Sequence, residues 1–199
     1  MRVFIVAGEA SGDVLGAQVM AGLKQRYGEA LEIAGLGGEH MVAQGLEPIF
    51  PMKDVAVMGL VEVLRRYPLI RRRLRELKEA IATFAPNVLL TIDAQGLSYR
   101  LGKHFKGQEM RLIHLVAPTV WAWKPRRAAK VAGYLDHVAC LFPFEPKYFE
   151  AEGLPATFVG HPALVNLKAD ENAHTKAREA LGQAAGETWL ALLLSLIHI

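Results

Sequence analysis

Met1-Arg2-Val3-Phe4-Ile5-Val6-Ala7-Gly8-Glu9-Ala10-Ser11-Gly12-Asp13 opens the chain, and the reading of this stretch decides the fold. Residues 3–7 are an unbroken apolar run of strand length. Residues 8–13 are small or acidic and read as a loop, and a helical pattern begins near Val14 and covers residues 16–27. A strand without alternation of apolar and polar residues is one covered on both faces, the condition of a parallel strand in an α/β sheet. A small-residue turn from a first strand into a helix presents backbone amides that can hold an anion or a hydroxylated ligand. The apolar run is too short for a signal-peptide core with a cleavage site, so export is not expected.

The same pattern repeats outward from this unit. Apolar runs at residues 31–36, 87–92, 111–116, 137–141 and 156–159 alternate with helical stretches at 97–106, 125–133 and 146–153. That order predicts an α/β, Rossmann-like fold, with a mainly parallel sheet and helices on both faces. Residues 57–84 are the longest helical stretch, and Pro68 predicts two helices or one kinked helix there. The composition shifts after His161-Pro162. Residues 168–186 are polar and Ala-rich, with a helix expected around 172–181, and residues 188–194 read as a further buried strand. The expected division is a domain over 1–167, then a linker helix and a strand over 168–199. That strand either joins the main sheet or begins a second domain.

Composition narrows the function classes. Of 199 residues, 52% are hydrophobic and 22% charged, which excludes disorder as the main state. With 23 Lys plus Arg against 20 Asp plus Glu, the net charge of +3 is too small for a chain that coats nucleic acid. The one cysteine, Cys140, cannot pair within the chain; its apolar neighbours suggest a buried, inert thiol, and a cytoplasmic location is expected. No stretch reaches the ~20 apolar residues needed to cross a bilayer, so any membrane contact is expected to be peripheral.

Three segments are candidates for chemistry. The first is the loop with Gly8, Glu9, Ser11, Gly12 and Asp13. It matches neither G-x-G-x-x-G nor a Walker A sequence, and its carboxylates would repel a bare diphosphate, which points to hydrogen bonding with sugar hydroxyls or amides. Alternatively, Asp13 or Ser11 caps the helix and the glycines serve tight packing. The second is Thr91-Ile92-Asp93-Ala94-Gln95-Gly96, which puts Asp93 at the carboxyl end of a buried strand, where α/β sheets bind ligands. Partial burial there favours a raised pKa and suits a general base; the alternative is a helix cap. The third runs from Ile113 to Arg127. In it, Trp121 and Trp123 precede Lys124, Arg126 and Arg127, either as an aromatic wall beside an anion site or as packing anchors for the next helix. His114 alternates through a strand, as a ligand contact or as a satisfied core histidine. No metal-site spacing and no G-x-S-x-G elbow is present.

Residues 57–64 are almost wholly apolar, and six arginines follow at Arg65, Arg66, Arg71, Arg72, Arg73 and Arg75. An apolar segment beside a basic cluster is an interfacial signature, with Met58, Val61 and Leu64 inserting and Arg65, Arg72 and Arg75 sharing one face, while Arg66, Arg71 and Arg73 spread further round. A core helix running into a solvated one would read the same way.

Six blocks together resemble the lipid-A-disaccharide synthase family. They are Gly8-Glu9-Ala10-Ser11-Gly12-Asp13, Ala56-Val57-Met58-Gly59-Leu60-Val61-Glu62-Val63-Leu64, Ile92-Asp93-Ala94, Val120-Trp121-Ala122-Trp123, Leu141-Phe142-Pro143-Phe144-Glu145 and Phe158-Val159-Gly160-His161-Pro162. The resemblance implies the N-terminal half of a GT-B fold, two Rossmann-like domains across a cleft. It implies inverting transfer of diacylglucosamine from UDP-2,3-diacylglucosamine to 2,3-diacylglucosamine 1-phosphate, giving a β-1,6 disaccharide and UDP, without metal or organic cofactor. By position, Asp93 is then the base for the acceptor 6-hydroxyl. The loop at 8–13 lines the cleft, and the segment at 58–64 with its arginines faces an anionic inner membrane from the cytoplasmic side. After residues 190–194 the family continues with a Pro-Gly-Ser-Arg loop and a UDP-binding domain, whereas this sequence reads Ser195-Leu196-Ile197-His198-Ile199. The chain by itself is therefore expected to form no disaccharide. Two other readings are a catalytically silent lipid- or membrane-binding module and an unrelated Rossmann-like nucleotide-binding domain.

Overall fold

Each of the six apolar runs of the first 161 residues becomes a strand. The computed structural model describes residues 1–56, 65–161, 173–182 and 187. The strands are β1 (Arg2–Ala7), β2 (Glu32–Leu36), β3 (Val88–Ile92), β4 (Arg111–Leu115), β5 (His137–Cys140) and β6 (Ala156–Phe158). They form one sheet in the order β2-β1-β3-β4-β5-β6, and every neighbouring pair is parallel. This is the Rossmann-like sheet expected from the sequence.

Seven helices among the described residues accompany the sheet: α1 (Ala10–Tyr27), α2 (Glu39–Ala43), α3 (Tyr67–Phe84), α4 (Gln95–Phe105), α5 (Arg127–Ala132), α6 (Pro146–Glu150) and α7 (Ala173–Leu181). Alternation along β1 shows how the faces are covered. Val3, Ile5 and Ala7 point into one core with Met20 of α1 and Met41 of α2. Phe4 and Val6 point into the other, with Leu77 and Ile81 of α3 and Leu101 and Phe105 of α4. Cys140 is fully buried in that second core, and burial, then the charges of Glu145 and Glu150, push its thiol up to about 12.

The expectation of two helices or one kinked helix over 57–84 falls in part on residues 57–64, outside the described residues. Helix α3 begins at Tyr67 after a turn at Arg66, and Pro68 lies in its first turn, where its missing N–H costs no helical hydrogen bond. One expectation changes. Helix α1 begins at Ala10, so Ser11, Gly12 and Asp13 belong to its first turn. Glu9 is extended at φ −144°, and Asp13 N–H donates to the Glu9 carbonyl at 3.0 Å to close that turn.

The chain divides into two compact units, Met1–His161 and Pro162–Ile199. The division falls at the composition shift. The expected boundary after residue 167 and the expected strand at 188–194 lie outside the described residues, and α7 is the described helix of the second unit.

Candidate functional site

The strand order reverses between β1 and β3. From β1 the chain moves outward to β2, then returns to the other side of β1 for β3 and continues through β4 to β6. The loops leaving β1 and β3 therefore run in opposite directions and open a crevice at the carboxyl ends of the two strands, the place where ligands bind in open α/β sheets. The residues at that crevice are Gly8 and Glu9 after β1 with Ala10 and Ser11 at the start of α1, and Asp93 and Ala94 after β3 with Gln95 to Leu97 at the start of α4.

Asp93 is held there in an uncommon conformation. It and Ala94 have φ of +50° and +37°, and Val116 after the neighbouring β4 has φ of +76°. Left-handed backbone at non-glycine residues costs of order 1–3 kcal/mol each and gathers at functional edges. Three contacts hold the Asp93 turn: Asp93 N–H donates to the Leu115 carbonyl at 3.0 Å and Ser98 N–H to the Ala94 carbonyl at 3.1 Å, while Ser98 Oγ donates to the Asp93 carbonyl at 3.3 Å. The carboxylate is held from the first turn of α1, where Ser11 Oγ donates to Asp93 Oδ2 at 3.2 Å. Gly8 makes the close approach possible, since a Cβ built there would stand 2.8 Å from the Ala94 Cβ.

Beside this pair lies an open cleft of about 400 Å³. Gly8, Glu9, Gln95 and Arg100 supply a polar end, and Val55, Ala56, Ile70 and Leu74 an apolar wall. Burial raises the Glu9 carboxyl above the ordinary glutamate range, and the charge of Asp93 raises it further. Among the described residues no group of His, Cys, Asp and Glu is placed to hold a metal ion.

Other expected site residues lie elsewhere. Asp13 is buried, and its carboxylate accepts backbone N–H groups from Gly38 at 2.7 Å, His40 at 2.9 Å and Met41 at 3.1 Å. It caps α2 from α1, which leaves it no ligand role. Gly12 packs a would-be Cβ position 3.3 Å from the Ile92 carbonyl, so its smallness serves helix packing. His114 is 2% exposed, with Nδ1 at 2.8 Å from Thr91 Oγ1 and 3.1 Å from Ser98 Oγ. It is a core histidine, and burial lowers its pKa to about 4. Through Ser98 it also braces the Asp93 turn from within.

Trp121 and Trp123 are 45% and 61% exposed, too open to anchor α5. Trp121 meets Phe144 edge-on at 5.3 Å, and Phe144 stacks on Phe142 at 5.6 Å. Lys124 lies over the Trp123 ring at 5.1 Å.

Met58, Val61 and Leu64 lie outside the described residues. Arg65 is exposed. A depression at the start of α3 is lined by Tyr67, Pro68, Arg71, Arg72 and Arg75, so Arg71 joins the face expected of Arg72 and Arg75. Arg73 turns inward, 2.6 Å from both Asp54 and Glu76. Among the described residues no helix is long and apolar enough to cross a membrane.

Sequence reasoning gave no role to Gln95, Arg100 or the apolar wall. Gln95 was within reach, since it follows Asp93 by two residues at the start of a helix. Arg100 and Leu74 carry no local signal, because their place in the cleft depends on how α4 and α3 lie across the sheet.

The fold agrees with what the chain is similar to. A solved structure of UDP-GlcNAc 2-epimerase from Neisseria meningitidis, bound to UDP-GlcNAc, shares the fold with a TM-score of 0.58 at 12% identity, over 92% of this chain and 53% of that one. The lipid-A-disaccharide synthase of Rhodospirillum centenum is 47% identical over 195 residues, covering 97% of this chain and 48% of the relative. That of Ruegeria pomeroyi is 44% identical over 193 residues, covering 96% and 48%. The chain thus spans about half the length of these curated relatives. The family described as lipid-A-disaccharide synthetase matches over residues 3–196, nearly the whole sequence, and the chain belongs to that family.

Proposed function

We propose that this chain is the acceptor side of an inverting glycosyltransferase of lipid A biosynthesis. The observation that carries the proposal is the Ser11–Asp93 pair at the strand-order reversal, beside a cleft polar at one end and apolar along one wall. A lipid-bearing sugar needs both environments. Its hydroxyls meet Glu9, Gln95 and Arg100, and the roots of its acyl chains meet Val55, Ile70 and Leu74.

In the reaction, Asp93 takes the proton of the acceptor 6-hydroxyl as that oxygen bonds to the anomeric carbon of UDP-2,3-diacylglucosamine and the bond to UDP breaks. Attack on the face opposite the leaving group gives the β-1,6 linkage to 2,3-diacylglucosamine 1-phosphate. Ser11 occupies Oδ2 and so orients the carboxylate with Oδ1 toward the hydroxyl, a positioning role. Both substrates are lipids, and the exposed arginines at Arg65, Arg71, Arg72 and Arg75, with Met58, Val61 and Leu64, bring the cleft to the cytoplasmic face of an anionic membrane.

The test is binding. A short-acyl, water-soluble form of the acceptor should shift the backbone amides of Gly8, Ala10 and Gly96 in an NMR titration of the chain, and Gly8→Leu should abolish those shifts while the fold persists. An acceptor that leaves these amides unmoved in the wild-type chain contradicts the assignment.

A further inference from the structure

Residues 110–135 contain no aspartate or glutamate, and four cations of this stretch converge. Lys124, Arg126, Arg127 and Lys130, with Pro125, line a depression of about 430 Å³. No carboxylate among the described residues pairs with any of the four. Like charges so close repel one another, and the repulsion persists until an anion enters, most strongly where the walls are protein and not water. Two of the four side chains are held over aromatic faces, Lys124 over Trp123 at 5.1 Å and Lys130 over Tyr99 at 4.1 Å. Lys124 itself has a left-handed backbone, φ +52°.

One contact ties this depression to the cleft. The Arg127 guanidinium donates to Gln95 Oε1, and Gln95 lines the cleft beside Gly8 and Glu9. Gln95 is two residues from Asp93, no more than about 7 Å along an extended backbone. The cationic cluster thus begins at the margin of the cleft that Asp93 adjoins. In a hexopyranose the 6-hydroxyl arm on C5 and the anomeric oxygen on C1 flank the ring oxygen, so the two groups lie a few ångströms apart along one edge of the sugar. A base under the first and a basic seat under the second is what a sugar 1-phosphate would require. A phosphomonoester, with three oxygens and close to two charges, also suits two guanidinium forks and two ammonium groups better than a singly charged diester does.

We propose that Lys124, Arg126, Arg127 and Lys130 form the seat for the anomeric phosphomonoester of the acceptor sugar, an inference that rests on the acceptor reading above. The seat makes the site selective for the phosphorylated sugar over its 1-hydroxy counterpart.

The experiment compares a short-acyl 2,3-diacylglucosamine 1-phosphate, its 1-hydroxy counterpart, inorganic phosphate and phosphatidylglycerol vesicles as ligands of the full chain, read by amide NMR and calorimetry. The phosphorylated sugar should bind at least tenfold more tightly than the 1-hydroxy compound and shift the amides of residues 124–130 together with Gly8 and Gly96. The variant Lys124→Gln/Arg126→Gln alters two exposed side chains. It should lose that tenfold preference and keep its affinity for the 1-hydroxy compound. Arg26→Gln/Lys103→Gln, with the same loss of charge elsewhere, should keep the preference.

Equal binding of the two sugars, or equal loss in both variants, overturns the seat. If the 1-hydroxy compound still moves Gly8 and Gly96 in that case, the acceptor reading stands without it. Inorganic phosphate and sugar phosphate that both move residues 124–130 and neither Gly8 nor Gly96 would keep an anion seat and remove the sugar acceptor. Vesicles that move residues 124–130 while the soluble phosphates do not would make the patch a membrane contact and overturn the proposal.

Discussion

Ser11 and Asp93 stand 82 positions apart in the sequence, and the Ser11 hydroxyl donates to Asp93 Oδ2 at 3.2 Å. The pair exists because β1 and β3 are neighbours in the sheet although β2 lies between them in the chain. The left-handed turn after β3 supplies the carboxylate and the first turn of α1 the hydroxyl that bonds to it. Any change that moves one against the other should therefore reach the proposed chemistry.

Gly8→Ala is such a change. The new methyl would stand 2.8 Å from the Ala94 Cβ, and overpacking of this kind costs about 1–3 kcal/mol. Ala94→Gly removes the opposing methyl and suits the φ of +37°, so the double variant should regain most of the loss in urea denaturation. Additive effects of the two substitutions would show that the loops do not touch as described.

Asp13→Ala tests whether this carboxylate is architecture. Three amide donors of the turn into α2 lose their acceptor, and leaving buried donors unsatisfied costs about 1–3 kcal/mol each. Ser11→Ala removes one weaker bond and should cost less than about 1.5 kcal/mol. Chemical denaturation of both variants checks the contrast, and a fully stable Asp13→Ala would refute the cap.

His114 provides a pH test. Its folded pKa of about 4 lies below the ordinary value of 6.5, so between those limits the unfolded chain binds a proton that the native chain does not. Stability is untouched above about pH 6.5, falls as pH drops toward 4, and loses about 3 kcal/mol from this group in all. The imidazole signals should accordingly stay neutral to near pH 4 in an NMR titration, and the stability of His114→Gln should fall less steeply between pH 6.5 and 4. An imidazole that titrates near 6.5 in the folded chain contradicts its burial.

How far each of these features could be read from the sequence follows from the range of the interactions behind it. The six strands were legible because a strand buried on both faces must be apolar throughout, and their ends differ from expectation by about one residue. The place of Asp93 was legible because it depends on a local fact, the end of a buried strand. The start of α1 was not. Gly12 and Asp13 look like loop residues, and the reasons for their presence in a helix are the Ile92 carbonyl and the amides of α2, both distant in sequence. His114 was left between two roles because alternation along a strand tells the face and not the depth. The inward turn of Arg73 depends on Asp54, nineteen residues earlier, which no helical spacing could reveal.

The role proposed for Asp93 is tested most directly by turnover. In a chimera that continues this chain with the C-terminal half of the Rhodospirillum centenum relative, Asp93→Asn should preserve the fold and acceptor binding and lower kcat ~10²–10⁴-fold, the usual contribution of a positioned base. The amide keeps the shape and the bond from Ser11 but accepts no proton. Disaccharide formation by that variant at close to the unsubstituted rate would show that the proton goes elsewhere and that Asp93 is not the base.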